Sequence, residues 1–242
     1  MTSQRADLAL VERRIFESRQ KAQEAIAAGL VRVDGKTLRK PSERIKADAC
    51  VDAAAPYPWV SRGGVKLAAA LDCFGFDPAG LPCLDIGAST GGFTHVLLDR
   101  GALSVAAVDV GRFQLHPDIA RDPRVVSLES TDARGLSPAA IPAPPLFLTF
   151  DVSFISLALV LPAVLPLAGT RARLVALIKP QFEVGPGRAV KGIVKDEALR
   201  AKVCANISAL IESLGWTVLG LVPSPIEGGD GNVEYLIGAQ RT

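Results

Sequence analysis

The chain has 242 residues, 49% of them hydrophobic, with 27 Lys/Arg against 25 Asp/Glu and a formal net charge of +2. That is enough apolar material for one large α/β domain plus a small module, and too much for a disordered chain. The longest apolar run, Leu157 to Ala168, is interrupted by Pro162 and Pro166 and falls short of the roughly 20 residues needed to cross a bilayer, so no membrane contact is expected.

The N-terminus is polar and has no secretory apolar core. The four cysteines (Cys50, Cys73, Cys83, Cys204) form no Cys-x-x-Cys pair, and the only histidines are His95 and His116. This pattern argues against a metal site and for a cytoplasmic protein with reduced thiols. Charge is unevenly spread: residues 1–66 hold 13 Lys/Arg against 8 Asp/Glu, and the remainder 14 against 17. A basic front end suits a polyanionic partner.

In chain order, Arg5 to Arg14 and Ser18 to Ala28 predict two short helices, the second with Ser18 as N-cap and Gly29 just past its end. Leu30 to Val33, Asp34-Gly35 and Lys36 to Leu38 form a strand, type I′ turn and strand pattern. Ile45 with Cys50-Val51 offers a further short strand. Ala53 to Trp59 shifts to small residues and prolines, the composition of a semi-rigid linker. The expected division is therefore a first domain over 1–55, a linker over 56–62 and a second domain over 63–242.

The second domain opens with an Ala/Leu-rich helix to about Phe74. Lys66 lies in its first turn, where a cation opposes the helix dipole. Leu81 to Ile86 reads as a buried strand, followed by Gly87-Ala88-Ser89-Thr90-Gly91-Gly92-Phe93 and a helix to Leu98. Glycines at such a junction let backbone N–H groups approach a ligand closely. The spacing differs from the Gly-x-Gly-x-x-Gly dinucleotide fingerprint, which favours a nucleoside over a pyrophosphate. Asp109 closes the next strand, Ser104 to Val108, where Rossmann-type folds place the acid that binds ribose hydroxyls.

Further strands are expected at Val125 to Leu128, with Asp132 just beyond, at Leu146 to Phe150, ending in Asp151, and at Arg173 to Ile178, ending in Lys179. The segment Val184 to Lys195 is too polar and broken for an element and is expected to be mobile. A helix from Asp196 to Leu214 and strands at Trp216 to Val222 and Val233 to Ala239 complete the chain. Alternating strands and helices predict a mostly parallel sheet whose ligands sit at the strands' carboxyl ends.

Arg5-x-Asp7, Ser18-Arg19, the Gly29 to Gly35 hairpin and Lys40-Pro41-Ser42 together resemble the S-four-type RNA-binding module, a small α+β fold. The resemblance implies RNA contact by Arg13, Arg14, Arg19, Lys36 and Lys40. The turn at Asp85 to Phe93 with Asp109 resembles the S-adenosylmethionine pocket of a Rossmann-like class I methyltransferase with a seven-stranded sheet. That likeness implies cofactor contacts from Asp85, Gly87, Ser89, Gly91, Gly92, Phe93, Asp109, Asp132 and Asp151.

Lys66, Asp151, Lys179 and Glu234 stand in the order of the Lys-Asp-Lys-Glu set of FtsJ-like ribose 2′-O-methyltransferases. Ser61-Arg62-Gly63-Gly64, Asp151-x-Ser153-Phe154, Lys179-Pro180-Gln181-Phe182-Glu183 and Gly231-Asn232-x-Glu234 narrow the likeness to the TlyA family, whose members methylate cytidine ribose in ribosomal RNA. The resemblance implies that Lys179 handles the hydroxyl proton, Asp151 orients it, Glu234 holds Lys66, and Arg62 contacts RNA. Competing readings are a membrane-acting haemolysin, suggested by the family's other name, and a non-catalytic RNA-binding assembly factor.

Overall fold

The computed structural model of the chain describes residues 3–185, 188–189, 192–229 and 231–241. It divides into two compact units, Met1–Pro58 and Trp59–Thr242.

The first unit holds β1 (Ser3–Arg5), α1 (Ala6–Glu12), α2 (Arg19–Ala27), β2 (Val31–Val33), β3 (Lys36–Thr37), β4 (Arg44–Lys46) and β5 (Val51–Ala53). The helix expected from Arg5 to Arg14 is shorter, because residues 3–5 extend to pair with β4 and Arg14 turns left-handed with φ 58°. The hairpin turns on Asp34 and Gly35, both at positive φ, the geometry a type I′ turn demands. Ile45 and Val51 fall in two strands of different sheets, β1-β4 and β3-β2-β5. Between sheets and helices lies a small core of Ala6, Leu10, Phe16, Ala22, Ile26 and Val31.

The second unit runs α3 (Gly63–Phe74), β6 (Pro82–Ile86), α4 (Gly92–Asp99), β7 (Ser104–Val108), α5 (Pro117–Ala120), β8 (Val125–Leu128), β9 (Phe147–Phe150), α6 (Leu157–Val164), β10 (Arg173–Ile178), α7 (Pro180–Glu183), α8 (Glu197–Ser213), β11 (Thr217–Pro223) and β12 (Tyr235–Gln240). Its seven strands lie in the order β11-β12-β10-β9-β6-β7-β8. Only β12 runs against its neighbours. β6, β9 and β10 are buried and mostly apolar because helices cover both faces. Leu84 and Ile86 pack toward α6 and α8, and Cys83 toward α3 and α4. The chain order reverses between β6 and β9, and in open α/β sheets this switch point is where ligands bind.

Part of the 184–195 segment is tied down, against the expectation of mobility. Asn232, buried, accepts from Val194 N at 3.1 Å and donates to the Gly192 carbonyl at 2.9 Å. Arg200 of α8 donates to the carbonyls of Val194 and Lys195. Residues 186–187 and 190–191 of that segment, and 230 in the glycine-rich approach to Asn232, lie outside the described residues.

Candidate active site

At the switch point the chain leaves β6 through Gly87, whose φ is 83°. A Cβ there would lie 2.5 Å from the Asp151 carbonyl oxygen, so only glycine lets the ends of β6 and β9 approach this closely. Asp109, just past β7, accepts Ser89 N at 2.8 Å and Gly111 N at 2.7 Å. Two backbone donors leave its carboxylate further lone pairs for a ligand. A cavity of about 560 Å³ opens here, lined by Gly87, Ser89, Asp109, Asp132 and Asp151, with Ile86, Val108 and Ile155 as apolar wall. Apolar walls for a base and a carboxylate for sugar hydroxyls make a donor set that fits a nucleoside.

Four of the residues expected at the cofactor do not line this cavity. Gly91 caps α4 in the left-handed conformation, Gly92 and Phe93 begin that helix, and Phe93 is buried in the apolar layer beneath it. Asp85, wholly buried, points under the turn: Thr94 Oγ1 donates to it at 2.7 Å and Thr149 Oγ1 at 2.8 Å. It clamps α4 and β9 to β6. Burial pushes its pKa from 3.8 up to about 6, against the pull of the two threonine hydroxyls.

A raised acid binds its proton more tightly folded than unfolded, so between about pH 4 and 6 stability falls as pH rises. The full loss is on the order of 3 kcal/mol. Asp85→Asn lacks this titration. Its stability relative to wild type should therefore climb across that window in urea unfolding, and parallel curves for the two proteins would refute the assignment.

Two carboxylates beyond β8 shape the far wall. Asp132 caps a short 3-10 turn and grips Arg134, whose guanidinium holds its pKa down to about 2. Glu129, which the sequence reading missed, accepts three successive amides, Phe113, Gln114 and Leu115, at 2.8, 2.7 and 3.1 Å. Those bonds lower its pKa and fold the loop that brings Gln114 to the cavity.

The four residues of the Lys-Asp-Lys-Glu set gather beside this cavity as two ion pairs. Lys66 Nζ lies 2.5 Å from Glu234 Oε2, with both side chains buried at 7% and 3% exposure. Lys179 Nζ lies 2.6 Å from Asp151 Oδ1, outside hydrogen-bonding angle, and donates to Ser153 Oγ at 2.8 Å. Register brings the pairs together: Ile178 faces Tyr235, so Lys179 and Glu234 are the next residues on adjoining strands. A Cβ on Gly63, at the start of α3, would come within 3.7 Å of Asp151 Oδ2.

The loop after β9 and the turn after β10 are joined at two further points. The Phe154 and Phe182 rings sit 5.2 Å apart, and Glu183 accepts the Ser156 hydroxyl at 2.5 Å and Leu157 N at 2.8 Å. Burial raises the Glu183 pKa despite those bonds.

The basic candidates divide. Arg14, Lys36 and Lys40 are exposed. Arg13 is spent within the first unit, its guanidinium donating to the carbonyls of Lys46, Ala47 and Ala49 at 2.6 to 2.9 Å. Arg19 reaches Asp7, a wholly buried carboxylate that also takes Arg5 and Gln23. These bonds, led by that of Arg5, hold the Asp7 carboxyl far below the usual range. In the second unit Arg62 donates to the Glu227 carbonyl.

Residues 59–241 match the model of the FtsJ-like methyltransferase family, and residues 4–49 that of the S4 domain. The chain belongs to the FtsJ-like methyltransferase family. Within it, the chain is 48% identical over 236 residues to the 16S/23S rRNA (cytidine-2′-O)-methyltransferase TlyA of Mycobacterium tuberculosis, a match covering 96% of this chain and 88% of that one. A solved structure of a protein described as a hemolysin from Streptococcus thermophilus is 39% identical, with a TM-score of 0.78 over the whole of this chain and 90% of that one. Magnesium protoporphyrin IX methyltransferase from Synechocystis, solved with bound S-adenosylhomocysteine, has a TM-score of 0.51 at 17% identity over 75% of this chain and 82% of that one. This last likeness is one of fold. No described helix of this FtsJ-like methyltransferase is long and apolar enough to cross a membrane.

Proposed function

We propose that the chain transfers a methyl group from S-adenosylmethionine to the ribose 2′-oxygen of a cytidine in ribosomal RNA. The observation that carries this reading is the pairing of Lys179 with Asp151 and of Lys66 with Glu234 beside a nucleoside-sized cavity that Asp151 lines. Bound there, S-adenosylmethionine supplies a methyl on a cationic sulfur, already a good leaving group. The protein must align and deprotonate a weakly acidic alcohol.

Asp109 holds the donor's ribose hydroxyls, Gly87 and Ser89 bring backbone to its amino-acid end, and Ile86, Val108 and Ile155 enclose its base. Asp132 faces the same cavity, with Arg134 on its carboxylate. Lys179 Nζ, in its neutral form, takes the proton of the 2′-hydroxyl as that oxygen acquires the methyl. Asp151 keeps Nζ at the cavity and stabilises the ammonium that results. The buried Lys66–Glu234 pair fixes α3 against β12 and frames the side on which the acceptor ribose enters. The hemolysin names of relatives find no counterpart in any feature of this site.

In the first unit, Lys36 and Lys40 on and beside the hairpin are the phosphate contacts we favour, with Arg14. Such contacts position the protein without reading bases. Substituting Lys36→Ala and Lys40→Ala together should weaken binding to ribosomal RNA. The slope of log K against log salt should also become shallower by about 1 per lysine; an unchanged slope would remove both from the interface.

The activity itself is tested by incubating the full chain with labelled S-adenosylmethionine and separated small and large ribosomal subunits. Label in RNA of at least one subunit is expected. Label in neither, nor in naked ribosomal RNA, would overturn the reading.

A further inference from the structure

A neutral lysine works as a base only if its single lone pair meets the proton to be moved, and a primary amine at the end of four methylenes rotates freely about its last bond. The Asp151 contact cannot stop that rotation. Coulomb attraction at 2.6 Å fixes how near Nζ lies, but the contact falls outside hydrogen-bonding angle. The directional bond is the one to Ser153 Oγ, at 2.8 Å. Ser153 lines the cavity and follows Asp151 by two residues on a loop that is itself pinned. Phe154 takes φ 64° with its ring on Phe182, and Glu183 holds Ser156 and Leu157.

We infer that Ser153 is a positioning residue for Lys179, accepting one N–H so that the amine's remaining direction is presented to the acceptor hydroxyl. This deepens the methyl-transfer reading and rests on it. With one N–H committed to Ser153 and a second drawn toward Asp151, the third tetrahedral position is left for the lone pair. When Lys179 takes the 2′-hydroxyl proton, that position becomes the new N–H, and the bond to Ser153 is kept throughout. The Lys66–Glu234 pair adjoins Lys179 across the strand register.

The test uses the full chain with Ser153→Ala and Ser153→Thr, single-turnover methyl transfer to ribosomal subunits, calorimetric titration of S-adenosylmethionine, and thermal unfolding. Ser153→Ala should lower the transfer rate by about 10- to 100-fold, with the KM for RNA and the donor Kd within about twofold of wild type and no loss of melting temperature. Ser153→Thr, which keeps the hydroxyl, should recover most of the rate. A wild-type rate in Ser153→Ala would overturn the inference, as would equal losses in the two variants or a loss confined to KM. Lys179→Ala run alongside separates the two levels: if it is inactive while Ser153→Ala is fully active, only the role of Ser153 fails. If Lys179→Ala is itself fully active, the base assignment beneath it fails.

Discussion

Lys179→Ala is expected to slow methyl transfer by about 10²- to 10⁴-fold, the range for loss of a general base, while the donor Kd stays within about threefold. The cavity explains the split. Its nucleoside-binding walls come from β6, β7 and the loops after β8 and β9, and Lys179, past β10, does not line them. Removing the lysine leaves Asp151 without its partner, but that side chain is 22% exposed, so the fold should tolerate the loss. Lys179→Arg sharpens the result. Guanidinium stays charged at any working pH, so this variant can keep the ion pair with Asp151 and still accept no proton. Single-turnover assays should find both variants slow. A fast arginine variant would mean that charge alone, and no proton transfer, is what position 179 supplies.

The second large effect is on stability. Lys66 and Glu234 are buried together, and removing one partner of such a pair strands the other charge at a cost of about 3–5 kcal/mol. Lys66→Met should therefore lower the urea-unfolding free energy by about that amount. Adding Glu234→Met should restore most of it, because an apolar pair of similar volume is often neutral or better. Full stability in the single variant would show that water reaches Glu234. The double variant also separates scaffold from chemistry: if Lys66 only frames the site, a refolded double mutant should retain measurable transfer.

Much of this arrangement is legible in the sequence, because each member of the set lies where an apolar run starts or stops or where a helix starts. Asp151 follows Phe150 and Lys179 follows Ile178, so a parallel sheet carries both to one edge; Glu234 precedes Tyr235 and reaches that edge because β12 runs antiparallel to β10. Asp85 was misplaced for a reason visible in the same strand. Leu84 and Ile86 share one face and Cys83 the other, so period-two alternation sends Asp85 beneath α4, toward Thr94, and away from the strand's open end.

Pairings between loops were not legible. Ser153 with Lys179, and Glu183 with Ser156, depend on β9 and β10 being neighbours, which no local pattern encodes. Arg13 looked like surface charge because its three carbonyl partners come more than 30 residues later. The tie between Asn232 and residues 192–194 escaped notice for the same reason: a polar, glycine-bearing stretch reads as loose until its distant partner is known.

We propose that the proton moved at Lys179 belongs to a ribose hydroxyl. It is tested most directly by digesting ribosomal RNA methylated by the purified chain to nucleosides and identifying the product by mass spectrometry. The expected product is 2′-O-methylcytidine, absent when Lys179→Arg replaces wild type. A methyl group on the base, or the same sugar-methylated product from the arginine variant, would contradict it.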